Sequence, residues 1–173
     1  SGTLFVVAAG NDGQDFPIGS PGAASSALTV GAVDRDEALA EFSSRGPRVG
    51  DFAVKPDITA PGVGIVAARA AGTFLGTPVD EHHTAASGTS MAAPHVAGAA
   101  ALLAQRYPDL TGPQLKDALA STAARHPELS VFAQGGGRVD VPRAVEQGVF
   151  ATGTLDLGQI EDGAASRARE GTY

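Results

Sequence analysis

An α/β fold built on a mainly parallel sheet, with helices on both faces, is predicted by three features of the 173-residue chain. Short, continuously apolar runs stop abruptly at turn residues, helical segments alternate with them, and one long stretch is alanine-rich and free of charge. Strands buried on both faces read as unbroken apolar runs rather than as alternation, because neither face meets water.

The first run, Leu4 to Ala9, is partly β-branched and ends at Gly10-Asn11-Asp12-Gly13. The second, Leu28 to Val33, ends at Asp34-Arg35-Asp36, and a third spans Gly64 to Ala68 after Pro61-Gly62. These three runs are expected to form a covered sheet. Residues 42–62 are so rich in Ser, Gly, Pro and Asp that mostly irregular backbone is expected, broken by a brief strand near Asp57 to Ala60.

From Ser90 to Tyr107 the composition predicts a long buried helix. Pro94 is placed in its first turn, no charge occurs between Met91 and Ala104, and Pro108 ends it. Thr111 followed by Gln114 matches a capping box, and Leu115, Ala118, Leu119, Thr122 and Ala123 mark the apolar stripe of a helix over 112–125. A short strand at Arg138-Val139 and a helix capped by Asp140 and closed at Gly148 complete the compact part. Residues 1–148 are thus expected to form one domain. Residues 149–173, polar and aperiodic towards their end, are expected to be a linker, a loose tail or the start of a following module.

Composition excludes several function classes. Twelve basic against 19 acidic side chains give a formal charge of −7, which argues against nucleic acid as a partner. The longest weakly interrupted apolar stretch, Ala92 to Ala104, is shorter than the roughly 20 residues needed to cross a bilayer, so no membrane span is expected. The absence of cysteine removes a thiol nucleophile and a thiolate metal site. Because the chain opens at Ser1 without a leader and reaches a strand by Leu4, it is read as a piece of something longer.

Two segments are chemically loaded. Ser90 follows the Gly88-Thr89 turn at the start of the alanine-rich helix, where free backbone N–H groups and the helix dipole favour a developing negative charge. A serine there is also an ordinary N-cap. Asn11, between Gly10 and Asp12 at the end of the first strand, carries an amide able to donate to an oxyanion, although Asn-rich turns are common for conformational reasons alone. Ala92 stands where the G-x-S-x-G elbow of α/β-hydrolases requires glycine, which disfavours that fold.

The string Gly88-Thr89-Ser90-Met91-Ala92-Ala93-Pro94-His95-Val96-Ala97-Gly98 closely resembles the nucleophile segment of subtilisin-like serine peptidases, and Ala8-Ala9-Gly10-Asn11 resembles their oxyanion segment. Phe42 to Pro47, Lys55 to Gly62 and Gly137 to Val141 are similar to further family segments, in the family's order. The resemblance covers about residues 3–148 and implies a partial three-layer subtilisin-like fold, the C-terminal half of a catalytic domain. It implies Ser90 as the acylated nucleophile of a serine endopeptidase and Asn11 as the oxyanion donor. It further implies Ala8, Ala9, Gly10, Asp12, Gly19, Gly88 and Thr89 as the substrate-binding surface, with Gly19 near the pocket's base and Asp12 at its rim.

The family's triad runs Asp, His, Ser along the chain, so the base and its orienting carboxylate are expected upstream of Ser1. His95 points away from Ser90 by helical geometry. His82 and His83 read as a solvated polar loop, and His126 lies in a loop with no partner. The expected partners are a polypeptide substrate and the N-terminal half of the catalytic domain, and the expected address is secreted. No cofactor or metal ligand is assigned, while structural calcium stays open for the intact protein. On this reading the chain alone is inactive. The competing reading is a non-catalytic binding or scaffold domain that keeps the fold and has lost the base. A third, an α/β-hydrolase esterase, would need Asp109 or Asp117 with His126, all crowded into the next helix and its end.

Overall fold

Strand β1 (Val6–Ala8) pairs in parallel with β2 (Leu28–Val33), and β2 in parallel with β3 (Ile58–Pro61), in a computed structural model that describes residues 2–14 and 17–151. All six residues of β2 are buried, as its unbroken apolar sequence requires for a central parallel strand. Leu28 and Val30 are wholly inaccessible, each burial contributing roughly 1.5–3 kcal/mol. The short strand expected near Asp57 thus becomes the third member of the covered sheet, and the first run contributes only its middle three residues.

The alanine-rich segment forms α1 (Thr89–Arg106), which packs against all three strands and, with α2 (Gly112–Ser121) and α4 (Val141–Glu146), encloses the core. Val96, Ala99, Ala100 and Leu103 of α1 meet Leu28, Val30 and Ala32 of β2 in that core. The alternate residues of β2 face loop segments: Thr29 Oγ1 donates to Gly22 O at 2.7 Å, and a β-carbon on Gly31 would stand 3.0 Å from Ser43 Oγ. Thr29 and Gly31 of β2 thus point away from α1, towards loop residues Gly22 and Ser43.

Several expectations need correction. The run at 64–68 does not join the covered sheet: β4 (Ile65–Ala68) pairs antiparallel with β6 (His83–Ala86), which also pairs with β5 (Thr77–Pro78) in a separate, mostly exposed three-stranded arm. His83 opens a strand instead of lying in a loop. Helix α1 is not buried all round, since Pro94, Ala97, Gly98, Ala101 and Leu102 are exposed. Pro94 also lies inside the helix rather than in its first turn, so the Ser90 carbonyl loses its i+4 donor.

Helix α2 stops at Ser121, four residues early, because Ala124 leaves it to exchange backbone hydrogen bonds with Arg138 at 2.7 and 2.8 Å. Its start is as expected: Thr111 N–H and Oγ1–H both donate to Gln114 Oε1. The strand expected at Arg138-Val139 is reduced to isolated bridges with Thr59 and Ala124. The one-turn helix α3 (Val131–Gln134) has no counterpart in the sequence reading. Its buried Gln134 holds the His126 backbone through both amide atoms, so the His126 loop is not without partners. Asp140 caps α4 by accepting from Arg143 N at 3.0 Å. The expectation for residues beyond 151 falls outside the described residues.

Candidate active site

Parallel strands deliver their C-terminal ends to one side of the sheet, and ligand sites in such sheets lie beyond those ends. The end of β1 runs into Gly10-Asn11, and the end of β3 runs into Gly62, whose carbonyl accepts from Gly88 N at 2.8 Å just before α1 begins. Gly62 is required by space. A β-carbon there would stand 2.7 Å from Ala32 Cβ and 2.8 Å from Gly88 O, so any side chain would push the start of α1 off the sheet.

Thr89 joins the two loaded segments across 78 residues of sequence. Its backbone N–H and its hydroxyl each donate to Asn11 Oδ1 at 2.9 Å, and its hydroxyl accepts from Gly10 N at 3.2 Å. Since a backbone N–H can only donate, the amide atom facing Thr89 is the oxygen, and Nδ2 is turned the other way. A β-carbon on Gly88 would lie 3.3 Å from Nδ2, which places that donor beside the turn leading to Ser90. Gly10 combines φ of +110° with a hypothetical β-carbon 2.9 Å from Ser44 Oγ, so neither the backbone nor the space admits a side chain. Ser44 Oγ in turn accepts from Asp12 N at 3.0 Å and fixes the loop.

Ser90 is exposed in the first turn of α1, where its N–H has no intrahelical acceptor. With Asn11 and Thr89 it lines a cavity of about 350 Å³ whose other walls are Ala8, Ala9, Gly10, Asp12, Gly19, Ser20, Pro21 and Gly22. Every residue singled out as nucleophile, oxyanion donor or substrate contact therefore lies at this cavity or, for Gly88, against Asn11. Ser20, Pro21 and Gly22 were not foreseen. Nothing local marks them, because they reach the cavity only once β1 and β2 are paired.

On its other side Ser90 borders a second groove of about 370 Å³, lined by Ile65, Val66 and Ala67 of β4 and by Met91, Pro94 and His95 of α1. None of the four histidines of the chain reaches the Ser90 hydroxyl. His95 Nδ1 is 2.8 Å from Met91 O, and His83 Nδ1 is 2.9 Å from both Asp80 oxygens on the arm. The His82 N–H and the His83 N–H both donate to Asp80 Oδ1, while His126 is held by Gln134. The Asp80 carboxyl is held below its ordinary range, first by the His82 N–H and then by the His83 ring. Among the described residues no group of three or more His, Asp or Glu side chains stands together as a metal site, so no calcium ligand is assigned to them. No described helix is long and apolar enough to cross a membrane.

Asn11 and Ser90 line one cavity, with the Ser90 side chain exposed and the Ser90 N–H in the first turn of α1, where it has no intrahelical acceptor. An amide side chain, a free backbone N–H and a hydroxyl at one cavity are the kinds of group that stabilise a tetrahedral carbonyl adduct.

A sequence model of the Subtilase family matches residues 1–143. The chain is 38% identical over 158 residues to Serine protease AprX of Bacillus subtilis, covering 84% of this chain and 36% of that protein. It is 37% identical over 149 residues to Subtilisin DY of Bacillus licheniformis, covering 84% and 48%. Among solved structures it is similar to a protease from Pseudoalteromonas arctica, with a TM-score of 0.69 at 33% identity, covering 84% of this chain and 42% of that one. The prenylagaramide maturation protease PagA gives a TM-score of 0.65 at 30% identity, covering 84% and 50%. The chain thus spans between about a third and a half of the length of these relatives.

Proposed function

The chain belongs to the subtilase family, the subtilisin-like serine proteases, and on that premise we propose that it supplies the nucleophile, the oxyanion donors and the primary pocket of a serine endopeptidase whose base is supplied from outside it. The observation that carries this reading is the convergence of Ser90, Asn11 and the small-residue loops on one cavity at the carboxyl ends of a parallel sheet. Ser90 Oγ attacks the scissile carbonyl, and its proton passes to a histidine base. The carbonyl oxygen gathers negative charge between Asn11 Nδ2–H and Ser90 N–H, the leaving amine takes the proton, and water releases the acyl group by the reverse path.

Thr89 keeps the Asn11 amide turned so that its donor side faces the reaction. The donors are fixed before the substrate arrives, and little reorganisation is needed as charge develops. The walls formed by Ala8, Ala9, Gly10, Gly19 and Gly22 leave a broad cleft suited to apolar side chains, while Asp12 at the rim tolerates a basic one. A polypeptide is the substrate, and secretion is the address we assign.

Because no histidine of this chain reaches Ser90, the chain alone is expected to be close to inert, and activity requires the base and its carboxylate. The test is a fluorophosphonate probe applied to this chain alone and to a longer polypeptide in which an Asp- and His-bearing segment of the family precedes it. Labelling confined to Ser90, slow in the chain alone and fast in the longer polypeptide, is expected. An unlabelled Ser90 in the longer polypeptide overturns the reading in favour of a non-catalytic scaffold that retains the fold.

A further inference from the structure

We infer that the cavity lined by Arg45, which shares no residue with either cavity at Ser90, binds a carboxylate borne beside an apolar group, as at the end of a peptide whose last residue is hydrophobic. None of the residues assigned to the proposed reaction takes part in it.

Arg45 lies in the segment from Phe42 to Pro47, which the proposed reaction leaves mostly unused. Its neighbours Ser43 and Ser44 are buried, and their hydroxyls accept from Ala32 N and Asp12 N, each at 3.0 Å. The backbone that carries Arg45 is thereby fixed. Its Nε is buried with no hydrogen bond, and no ion pair among the described residues reaches the guanidinium. Every other described Lys or Arg that is not exposed has a partner: Lys55 and Lys116 share Asp57, Arg48 holds Asp51, Arg138 holds Glu37 and Arg69 donates to Thr73 O. A guanidinium keeps its charge wherever the fold survives and carries only donors. A partly buried one without a counter-charge is therefore a cost, which an anion in the cavity offsets.

The cavity holds about 430 Å³, room for an amino acid with its side chain, and it is built in advance. Gly46 N donates to Phe132 O at 2.9 Å. A β-carbon on Gly46 would collide with Lys55 O and stand 3.1 Å from Phe132 Cδ1, so loop and ring are locked together. Pro17 and Pro47 stiffen the remaining wall. Little freedom is then lost at the site when a ligand enters.

The lining selects the ligand. Arg45 is the one cation at the cavity among the described residues, which suits the single charge of a carboxylate better than the higher charge of a phosphate monoester. Its planar fork also matches the two oxygens of a carboxylate. Gln14 and the Ser130 hydroxyl, which makes no capping bond to α3, add neutral polar groups, while Phe132 and the two prolines face the apolar part. A peptide C-terminus and an acidic residue beside an apolar one within a chain both present this chemistry.

The test uses the whole chain and needs no variant to detect binding. Phenylglyoxal modifies arginine, and its rate at Arg45 is followed by peptide mass spectrometry, with the exposed Arg35 and Arg125 as internal controls. Four probes are compared at equal concentration: N-acetylphenylalanine, its amide, acetate, and N-acetyl-aspartyl-phenylalanine amide. Because the rate is read at Arg45 itself, a probe bound at Ser90 does not register, and the result is independent of the proposed reaction.

N-acetylphenylalanine should slow modification of Arg45 by roughly fivefold or more, its amide and acetate by less than about 1.5-fold, with Arg35 and Arg125 unchanged. Equal protection by the aspartyl peptide also supports the carboxylate site and adds internal acidic residues as a source, whereas its failure confines the source to chain ends. Absence of protection by both apolar carboxylates overturns the inference. Equal protection by the amide removes the carboxylate, and equal protection by acetate removes the apolar part. Faster modification of Arg45 in an Asp15→Asn variant without any probe overturns it too, since a carboxylate of the chain itself is then the partner.

Discussion

Thr89 donates both its backbone N–H and its hydroxyl to Asn11 Oδ1, each at 2.9 Å, and so ties the turn before Ser90 to the side chain proposed as the oxyanion donor. The contact orients Asn11 by occupying its acceptor, leaving both Nδ2 protons for other work.

Removing the Thr89 hydroxyl should therefore act through Asn11. Thr89→Val keeps the shape, deletes one donor to Asn11 and leaves Gly10 N without its acceptor. A net hydrogen bond of about 1 kcal/mol corresponds to roughly a fivefold loss in kcat/KM of the base-containing enzyme, borne mainly by kcat. Asn11→Ala should cost about 100- to 1000-fold in kcat, the loss known for removal of the oxyanion asparagine of a subtilisin. The double variant should be no worse than Asn11→Ala alone. Additive losses measured in peptide hydrolysis would show that Thr89 acts by another route.

Gly62→Ala should loosen the seat of α1. The added carbon meets Ala32 Cβ, Gly88 O and Ala92 Cβ at 2.7, 2.8 and 3.2 Å, all three from buried backbone or core alanines that cannot rotate aside. Overpacking of this kind costs about 1–3 kcal/mol, readable as a lower urea midpoint at unchanged m-value. A midpoint equal to that of wild type would contradict the packing described.

The opposite end of the sheet is held by a buried ionic cluster. Lys55 Nζ donates to Ala27 O, Thr29 Oγ1 and Asp57 Oδ2 at 2.9, 2.8 and 2.7 Å, while Lys116 Nζ lies 2.9 Å from Asp57 Oδ1. Burial lowers the Lys55 pKa below its ordinary value, and the Asp57 carboxylate opposes that shift. Asp57→Ala leaves both lysines hydrogen-bonded but without a counter-charge and should cost about 3–5 kcal/mol in urea unfolding. Lys55→Met should cost less, since Lys116 still faces Asp57. The reverse order would show that Asp57 is not the hub.

Acid should release a contact on the surface. Arg48 and the Ala53 N–H hold the Asp51 carboxyl down to about 2 from an ordinary 3.8, the Arg48 hydrogen bond being the larger cause. A carboxyl with a depressed folded-state pKa contributes stability that is complete above its unfolded value and disappears as pH falls through the folded one. The difference between wild type and Asp51→Asn should thus be constant above about pH 4 and shrink between 3.8 and about 2. Urea titrations at several pH values check this, and a difference that persists unchanged at pH 2 contradicts it.

Elements differ in how plainly their residues announce them. Strand β2 was legible because a strand buried on both faces has no polar residue to interrupt it. The same property misled at Ile65 to Ala68, where a run of similar composition forms the edge of an exposed antiparallel arm, and Thr77-Pro78 is too short to announce itself. The exposed face of α1 was hidden because uncharged composition marks what a helix is suited to face, and does not mark which of its faces meets the sheet. Ser90 and Asn11 were visible through their motifs. The Thr89 clamp was not, since it spans 78 residues and depends on Gly62 bringing α1 down onto the sheet.

The most direct test of the central claim is a crystal structure of the base-containing enzyme after phosphonylation of Ser90. The account requires the phosphoryl oxygen to lie about 2.7–3.1 Å from both Asn11 Nδ2 and Ser90 N, with the Asn11 oxygen still on Thr89. An adduct whose oxygen points into solvent, with the Asn11 amide turned away from it, would contradict the account.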